Sequence, residues 1–201
     1  MFLTSKLLIM QRRLLHVLMI TFIIFGQACK KKEEPDPGPQ LSQLTGVTLA
    51  SDQLVDLTDG MGYSVADALN NIEKIDINYS KNLILNDGTK DSLFSSVLSS
   101  VDILGIDGRN PFPNVATFAP LVNASLPTTT TAEDAAQLKT LYDQAVTGFG
   151  GESKVLVNIP LGLTVMFRIR GTSSTPKYGA IQFNSFNADS TSVSTTVTVQ
   201  N

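Results

Sequence analysis

Histidine and cysteine, two residue types that often act in catalysis, occur only near the N-terminus of this 201-residue sequence. Its one histidine is His16 and its one cysteine is Cys29, so neither residue type occurs in 30–201. Ser-His-Asp catalysis, Cys-His catalysis and zinc sites built on His or Cys all need these residues. The sequence therefore excludes such sites, and histidine ligation of haem, from the chain after Cys29.

Carboxylates remain as candidates for acid–base chemistry. Asp52, Asp56 and Asp59 form one cluster along the sequence, and Asp102 and Asp107 form another. A glycosidase needs two carboxylates that flank the scissile bond, but these aspartates lie among residues typical of turns and caps, and the chain has no Trp to stack on a sugar. We predict a protein with no catalytic residues, no metal site and no cofactor. A carboxylate-based glycan hydrolase is a remote alternative.

The N-terminal segment has the pattern of an export signal. Three basic residues precede an apolar run of 12 residues at 14–25. A positive region followed by an apolar run of this length is typical of a signal peptide, and the run is shorter than the roughly 20 residues that a spanning helix needs. We predict a signal peptide over 1–28, with translation beginning at Met1 or Met10.

Small residues lead into the cysteine, with Gly26 and Ala28 in the stretch FGQAC. This stretch resembles the lipobox of bacterial lipoproteins, in the looser form found in Bacteroidetes. The resemblance implies cleavage after Ala28 and lipidation of Cys29, and two or more acyl chains, at about 0.8 kcal/mol per buried CH₂, anchor a protein without a transmembrane helix. An ordinary signal peptide beside an incidental cysteine and an uncleaved anchor are the alternatives.

The segment after the cysteine is polar throughout. Residues 30–40, KKKEEPDPGPQ, contain three prolines and no hydrophobic residue, so they cannot offset the entropy of ordering by burial. We predict a lipidated cysteine with a flexible tether over 29–40 and one globular domain over 41–201. KKKEE also resembles the export signal of Bacteroidetes surface lipoproteins. That resemblance implies a location in the outer membrane, facing the cell surface. The inner leaflet of the outer membrane is an alternative location. The other interpretation of KKKEE is a generic charged tether.

The chain after the signal segment is acidic. The sequence has 15 Lys and Arg, and three of them precede Cys29, which leaves 12 against 18 Asp and Glu and a formal net charge of −6. An acidic chain without a basic stripe is unsuited to a phosphate backbone. We predict no nucleic-acid partner.

The helices are predicted from caps and periodicity. Thr131 and Asp134 fit a capping box, helical spacing of apolar residues follows, and Gly148 indicates the C-terminal end, which predicts a helix near 131–147. Shorter helices are predicted at SVADALNNI, with Ser64 as the cap, and at DSLFSSVLS (91–99).

The C-terminal residues alternate with the period of strands. LTVMFRIR, YGAIQFNSF and SVSTTVTVQ predict an antiparallel β-meander, with KVLVNI (154–159) as a fourth strand. Further strands are predicted at GVTLA, IDINY and LILND. The predicted fold class is α+β and β-dominated, with an antiparallel sheet arranged as a sandwich or as a sheet plus helix.

The layout of FRIRGTSSTPKYGAIQFNSF…TTVTVQ and of VDLTDGMGYSVADALNNIEKIDINY is similar to that of Bacteroidetes lipoprotein families of uncharacterised function. One similar group is the haem-binding lipoproteins, or haemophores. Haem binding would require thioether ligands here, from Met61 or Met166, and methionine is more often a packing residue. We predict no haem.

The candidate ligand contacts lie in the meander. Arg168 and Arg170 share one face of their strand and suit an anionic ligand, or they form the solvent side of a sheet; Met166 and Tyr178 are the other candidates. We predict a lipid-anchored, non-catalytic binding or accessory protein of the cell envelope. It would capture a glycan, peptide or cofactor for an outer-membrane transporter. The alternative is a structural or adhesion component that acts through protein contacts.

Overall fold

The structure is a computed structural model, and it describes residues 38, 40–84, 93–104, 110–122, 125–127, 131–172, 175–187 and 191–201. These residues form a β-dominated α+β fold with two antiparallel five-stranded sheets and one long helix. The predicted fold class is confirmed. The two alternatives within it, a sandwich and a sheet plus helix, occur together.

In chain order the elements are β1 (Leu41–Ala50), β2 (Gln53–Asp56), β3 (Met61–Tyr63), α1 (Val65–Ala68), β4 (Ile77–Ile84), β5 (Leu93–Ser100), a 3₁₀ turn (Val101–Ile103), β6 (Val115–Leu121), α2 (Ala132–Phe149), β7 (Val155–Leu156), β8 (Thr164–Arg170), β9 (Lys177–Phe186) and β10 (Ser192–Gln200). Sheet A has the strand order β1-β10-β9-β8-β6, and sheet B has the order β3-β2-β4-β5-β7. The last three strands pair as the predicted antiparallel meander.

The main core lies between the two sheets. Alternation along β8 directs Val165, Phe167 and Ile169 to one face, and all three belong to the largest hydrophobic cluster. That cluster also contains Ile77 and Tyr79 of sheet B, so the inner faces of the two sheets pack on each other. The alternation predicted from the sequence is what allows each strand to bury one face in this way.

Helix α2 covers the outer face of sheet A. Leu138, Tyr142 and Ala145 pack with Met166 of β8 and Ala180 of β9 in a second hydrophobic cluster. The apolar residues whose spacing predicted the helix are therefore the ones on its buried face. Among the described residues, no helix combines the length and apolarity that spanning a membrane requires.

The capping box of α2 is confirmed. Thr131 Oγ1 accepts a hydrogen bond from the Asp134 N–H, and the Asp134 carboxylate accepts one from the Thr131 N–H. The predicted end was wrong, because the helix continues through Gly148 to Phe149. It stops at Gly150, whose φ of 84° is the left-handed conformation that glycine adopts without strain.

Helix α1 has the predicted cap but is short. Ser64 Oγ accepts a hydrogen bond from the Asp67 N–H, and the helix covers four residues. Ala68 packs with Leu54 and Ile75 on the outer face of sheet B, in a third cluster that also contains Phe112.

Two predicted elements differ in the structure. The segment 91–99 was predicted as a helix, but β5 is a strand that pairs with β4 over its whole length. Its serines serve as buried hydrogen-bonding groups: Ser96 Oγ bonds with the Tyr79 hydroxyl at 3.2 Å, and Ser100 Oγ accepts from the Ala116 N–H at 2.8 Å. Cross-strand pairing therefore outweighs the local helical pattern.

The segment 154–159 was predicted as a fourth strand of the meander. Two of its residues form β7, which pairs instead with β5 in sheet B. The chain leaves sheet A after Ser153, which bridges to Phe118, and Leu156 and Ile159 join the core between the sheets. Of the strand predicted at LILND, the first two residues end β4 and the other three lie outside the described residues.

Candidate functional site

A cavity of about 330 Å³ opens at one end of the sandwich. Four parts of the chain line it: the end of β2 with the following turn, the segment that enters β4, the residue before β6, and the end of β8 with its connection to β9. Most of its lining groups are polar. They include four carboxylates, two lysines and one amide: Asp56, Asp59, Glu73, Asp76, Lys74, Lys177 and Asn114.

Backbone pairing places Asp56 beside Asp76. The Asp76 N–H donates to the Val55 carbonyl at 2.9 Å, and the Leu57 N–H donates to Asp76 Oδ2 at 2.9 Å. The residues on either side of Asp56 are therefore both bonded to Asp76. The two carboxylates are therefore neighbours, one on the last residue of β2 and the other on the residue before β4, and each residue is only 4 % exposed.

Each carboxylate accepts backbone hydrogen bonds. Oδ1 of Asp56 accepts from the N–H groups of Thr58 at 2.8 Å and Asp59 at 3.2 Å, an arrangement that holds the turn after β2. Within the described part of the chain, no donor forms a hydrogen bond with the other oxygen of Asp56, Oδ2. The Asp56 side chain therefore retains an acceptor at the cavity wall.

Asn114 fixes the other side of Asp76. Its side-chain nitrogen Nδ2 lies 3.0 Å from three acceptors, namely the carbonyls of Glu73 and Ile75 and Oδ1 of Asp76. Both oxygens of Asp76 are thus hydrogen-bond acceptors. This arrangement holds Asp76 in one position and ties the segment before β4 to the strand entry at β6.

Burial dominates the ionisation of this pair. It raises the pKa of Asp76 to about 7, and the nearby Asp56 charge adds to the rise, while the Leu57 N–H and Lys177 act in the other direction. Burial likewise raises the pKa of Asp56, against the lowering effect of the Thr58 and Asp59 N–H groups. Carboxylates with a raised pKa in a cavity are candidates for a functional site.

The lysines of the cavity do not neutralise the pair at close range. Lys74 and Lys177 act on the two carboxylates through their charge, but neither lysine forms an ion pair within the described ranges. The ion pairs found there are Lys139–Asp143, Lys154–Asp102 and Arg168–Glu152. In the same part of the chain, no three or more His, Cys, Asp or Glu side chains are grouped as metal ligands would be.

The predicted ligand contacts of the meander lie elsewhere, most of them beneath α2. Met166 is fully buried and Tyr178 is 9 % exposed, with its ring edge-on to Tyr142 at 5.5 Å between centroids. Met166 lies on the face of β8 that was predicted to be polar from its alternation. Helix α2 covers this face at Met166 and at Tyr178 of the neighbouring strand β9. Arg170, nearer the end of the strand, is exposed.

Arg168 belongs to a polar network at the edge of the same helix. Its guanidinium pairs with Glu152 at 2.6 Å and lies over the Tyr142 ring, and the Tyr142 hydroxyl donates to Glu152 at 2.6 Å. Burial and the bond to Glu152 raise the pKa of Tyr142 to about 12. Burial alone would raise the pKa of Glu152, but its bonds and the Arg168 charge outweigh it and lower the pKa. We interpret this network as a clamp between α2 and sheet A.

The structure separates the predicted aspartate clusters. Asp56 and Asp59 line the cavity, whereas Asp52 is exposed outside it, with a φ of 62°. Asp102 pairs with Lys154 far along the chain, and Asp107 lies outside the described residues. The predicted lipidation and cleavage positions, Cys29 and Ala28, lie outside them too.

Asp76, Asn114 and Lys177 were not among the site residues predicted from the sequence. The one local signal was the pattern IDI at 75–77, in which an aspartate stands between two residues that are fully buried. Asn114 and Lys177 carry no comparable signal, because they reach the cavity only through pairing of distant segments.

No protein-family model matches the chain, and no curated protein or solved structure is detectably similar to it.

Proposed function

We propose that this protein is a lipid-anchored, non-catalytic binding protein of the outer membrane, that it faces the cell surface, and that the end cavity holds its ligand. The observation that carries the proposal is the buried Asp56–Asp76 pair, oriented by Asn114, in a cavity lined mostly by residues with polar side chains. Ile169 is the one hydrocarbon side chain among the lining residues described. A small polar ligand therefore suits the cavity better than a haem or a lipid chain.

The anchor is supported by the order of features at the N-terminus. The apolar run at 14–25 is followed by Ala28, Cys29 and a polar tether. A lipid on Cys29 would hold the domain at the membrane while the tether keeps the cavity accessible. A protein of this kind would deliver its ligand to a neighbouring outer-membrane transporter.

Binding accounts for the carboxylate pair better than hydrolysis does. A glycosidase places its two carboxylates on opposite sides of the scissile bond. Asp56 and Asp76 instead lie side by side, and both oxygens of Asp76 already accept hydrogen bonds. The pair is arranged to hold a ligand group from one side.

The open edge of β1 supports a second candidate function, adhesion through protein contacts. This strand has ten residues without Lys or Pro, and its outer edge pairs with no described strand. Long edges of this kind accept a strand from another chain. A register shift at Gly46, whose φ is 73°, bends the edge and partly protects it.

A capture experiment distinguishes the two candidates. Wild type, Asp56→Asn, Asp52→Asn and Thr48→Lys would be incubated with growth-medium extract on intact cells, cross-linked and recovered, and bound small molecules and proteins identified by mass spectrometry. Asp52→Asn is the matched control, because it removes one exposed carboxylate outside the cavity.

We expect a small molecule to be enriched on wild type and on Asp52→Asn and to be lost on Asp56→Asn. Recovery of protein partners alone, abolished by the edge charge in Thr48→Lys, would replace the binding proposal with adhesion.

The anchor is tested separately with Cys29→Ala. We expect that variant to lose both incorporation of a fatty-acid analogue and membrane association in fractionated cells. Persistence of both in the variant would refute lipidation at Cys29.

A further inference from the structure

The buried base of the end cavity presents hydrogen-bond acceptors and negative charge. Asp56 and Asp76 are each 4 % exposed, and three of their four carboxylate oxygens accept N–H groups of the protein. The fourth, Asp56 Oδ2, has no donor among the described residues. A buried carboxylate with an unfilled acceptor position stabilises a ligand that brings a donor.

The rim of the cavity does not cancel this charge. Asp59 and Glu73 are exposed carboxylates there, and Lys74 and Lys177 are the two ammonium groups. With two charges of each sign, the rim is formally neutral. The buried pair therefore leaves the cavity with a net negative charge.

Two other ligand classes fit the cavity less well. Ca²⁺ takes six to eight oxygen ligands, and no group of three or more ligating side chains is found where the structure describes the chain. A neutral sugar gains no charge interaction here, and its rings would find no aromatic surface among the lining residues. An ammonium group satisfies both the charge and the missing donor.

We propose that the end cavity binds a small molecule carrying a protonated amine, with its ammonium group donating to Asp56 Oδ2 beside Asp76. This inference rests on the proposed function, because it names the ligand class of the same site. The rim, with charges of both signs, accommodates the remainder of a polar ligand.

Binding of an ammonium group is coupled to protons at this site. The charged groups that line the cavity with Asp76 are Asp56, Asp59, Glu73, Lys74 and Lys177. Burial raises the pKa of Asp76 to about 7. A bound cation favours the ionised form and so releases a proton near neutral pH. Affinity for the amine should therefore rise with pH between about 5 and about 8.

The test uses ethanolamine and ethylene glycol, which differ in one group, an ammonium in place of a hydroxyl. Binding of each to the full chain would be measured by calorimetry at about pH 8 and about pH 5, in two buffers of different ionisation enthalpy so that released protons are counted. Asp56→Asn and the matched control Asp52→Asn would be measured in parallel, with glucose and CaCl₂ as further probes.

We expect ethanolamine to bind wild type and Asp52→Asn equally, and to bind Asp56→Asn roughly tenfold to a hundredfold more weakly, because one hydrogen bond to a charged group is lost. Wild type should bind ethanolamine roughly tenfold or more weakly at about pH 5 than at about pH 8, with proton release near neutral pH. If Asp56→Asn does not fold, the pH dependence of ethanolamine binding to wild type still tests the inference.

Two results overturn the inference in different ways. If ethylene glycol, glucose or CaCl₂ binds at least as tightly as ethanolamine and the binding is lost in Asp56→Asn, the cavity is a ligand site but the amine is the wrong class. If no probe binds and the capture experiment also enriches no small molecule, the proposed function fails with it.

Discussion

We expect the free energy of unfolding to fall as the pH rises from about 5 to about 8, because folded Asp76 keeps a proton that the unfolded chain has already lost. The pKa of Asp76 is raised from 3.8 to about 7 by burial, with the Asp56 charge adding to the rise. Between these two values the folded state binds more protons than the unfolded state. The stabilising effect is therefore complete below about pH 4 and is lost as the pH rises through about 7.

The magnitude follows from the size of the shift. About three pKa units at ~1.4 kcal/mol each give on the order of 4 kcal/mol in total, and about 3 kcal/mol of it falls between about pH 5 and about pH 8. Asp56 contributes in the same direction, because its pKa is also raised. Glu152, with a lowered pKa, affects stability only at pH values below this window.

Urea unfolding followed by tyrosine fluorescence and circular dichroism measures this change directly. Asp76→Asn should remove most of the pH dependence. It should also cost roughly 1–3 kcal/mol at acidic pH, because an amide cannot accept from both Leu57 and Asn114. Asp52→Asn, the matched control, should keep the wild-type profile. A wild-type stability that does not change over this range, or an Asp76→Asn profile with the wild-type slope, would refute the reasoning.

Two further predictions concern packing and the clamp beneath α2. Gly179→Ala should destabilise the domain by roughly 3 kcal/mol. The reason is that a Cβ there would lie 2.2 Å from the Phe167 ring and 2.5 Å from the Thr198 carbonyl oxygen. An unfolding midpoint in urea equal to that of wild type would contradict this prediction, because it would mean that the backbone shifts to make room. Tyr142→Phe should cost roughly 1–2 kcal/mol and raise the pKa of Glu152, because the hydroxyl that donates to Glu152 is removed. NMR titration of the Glu152 carboxyl group would check the second effect, and an unchanged titration curve would argue against it.

Local sequence signals gave the elements whose ends are determined within a few residues. The box of Thr131 and Asp134 needs only a hydroxyl, a carboxylate and their spacing, and alternation in 163–170 needs only the period of a strand. Both are present in the structure. The helix end at Gly150 was missed because three glycines, at 148, 150 and 151, stand close together and only the backbone conformation shows where the helix stops.

The elements that were predicted wrongly from the sequence depend on pairing between segments far apart in the chain. The serines of β5 already weakened the helix predicted at 91–99, but their role in a strand follows only when Tyr79 and the Ala116 N–H are placed beside them. The alternation of β8 predicted two faces, but not that α2 would cover the outer one over Met166. Such outcomes depend on contacts between distant segments, which no local pattern encodes.

For the same reason, only some of the cavity residues could be predicted from the sequence. Asp56 stood out as a member of an aspartate cluster, but its structural partner Asp76 follows 20 positions later and lay inside a predicted strand. Asn114, which fixes Asp76, is 38 positions further along. The candidate site is a product of sheet topology, and it could be found only after the strands were paired.

The central claim, that the end cavity is the ligand site, is tested most directly by NMR of the isotope-labelled protein titrated with the small-molecule fraction of the growth medium. We predict saturable shifts at the backbone amides of Leu57, Thr58 and Asp59, which donate to the two carboxylates, and at the side-chain amide of Asn114. Shifts confined to the edge of β1, with these four signals unmoved, would contradict the claim.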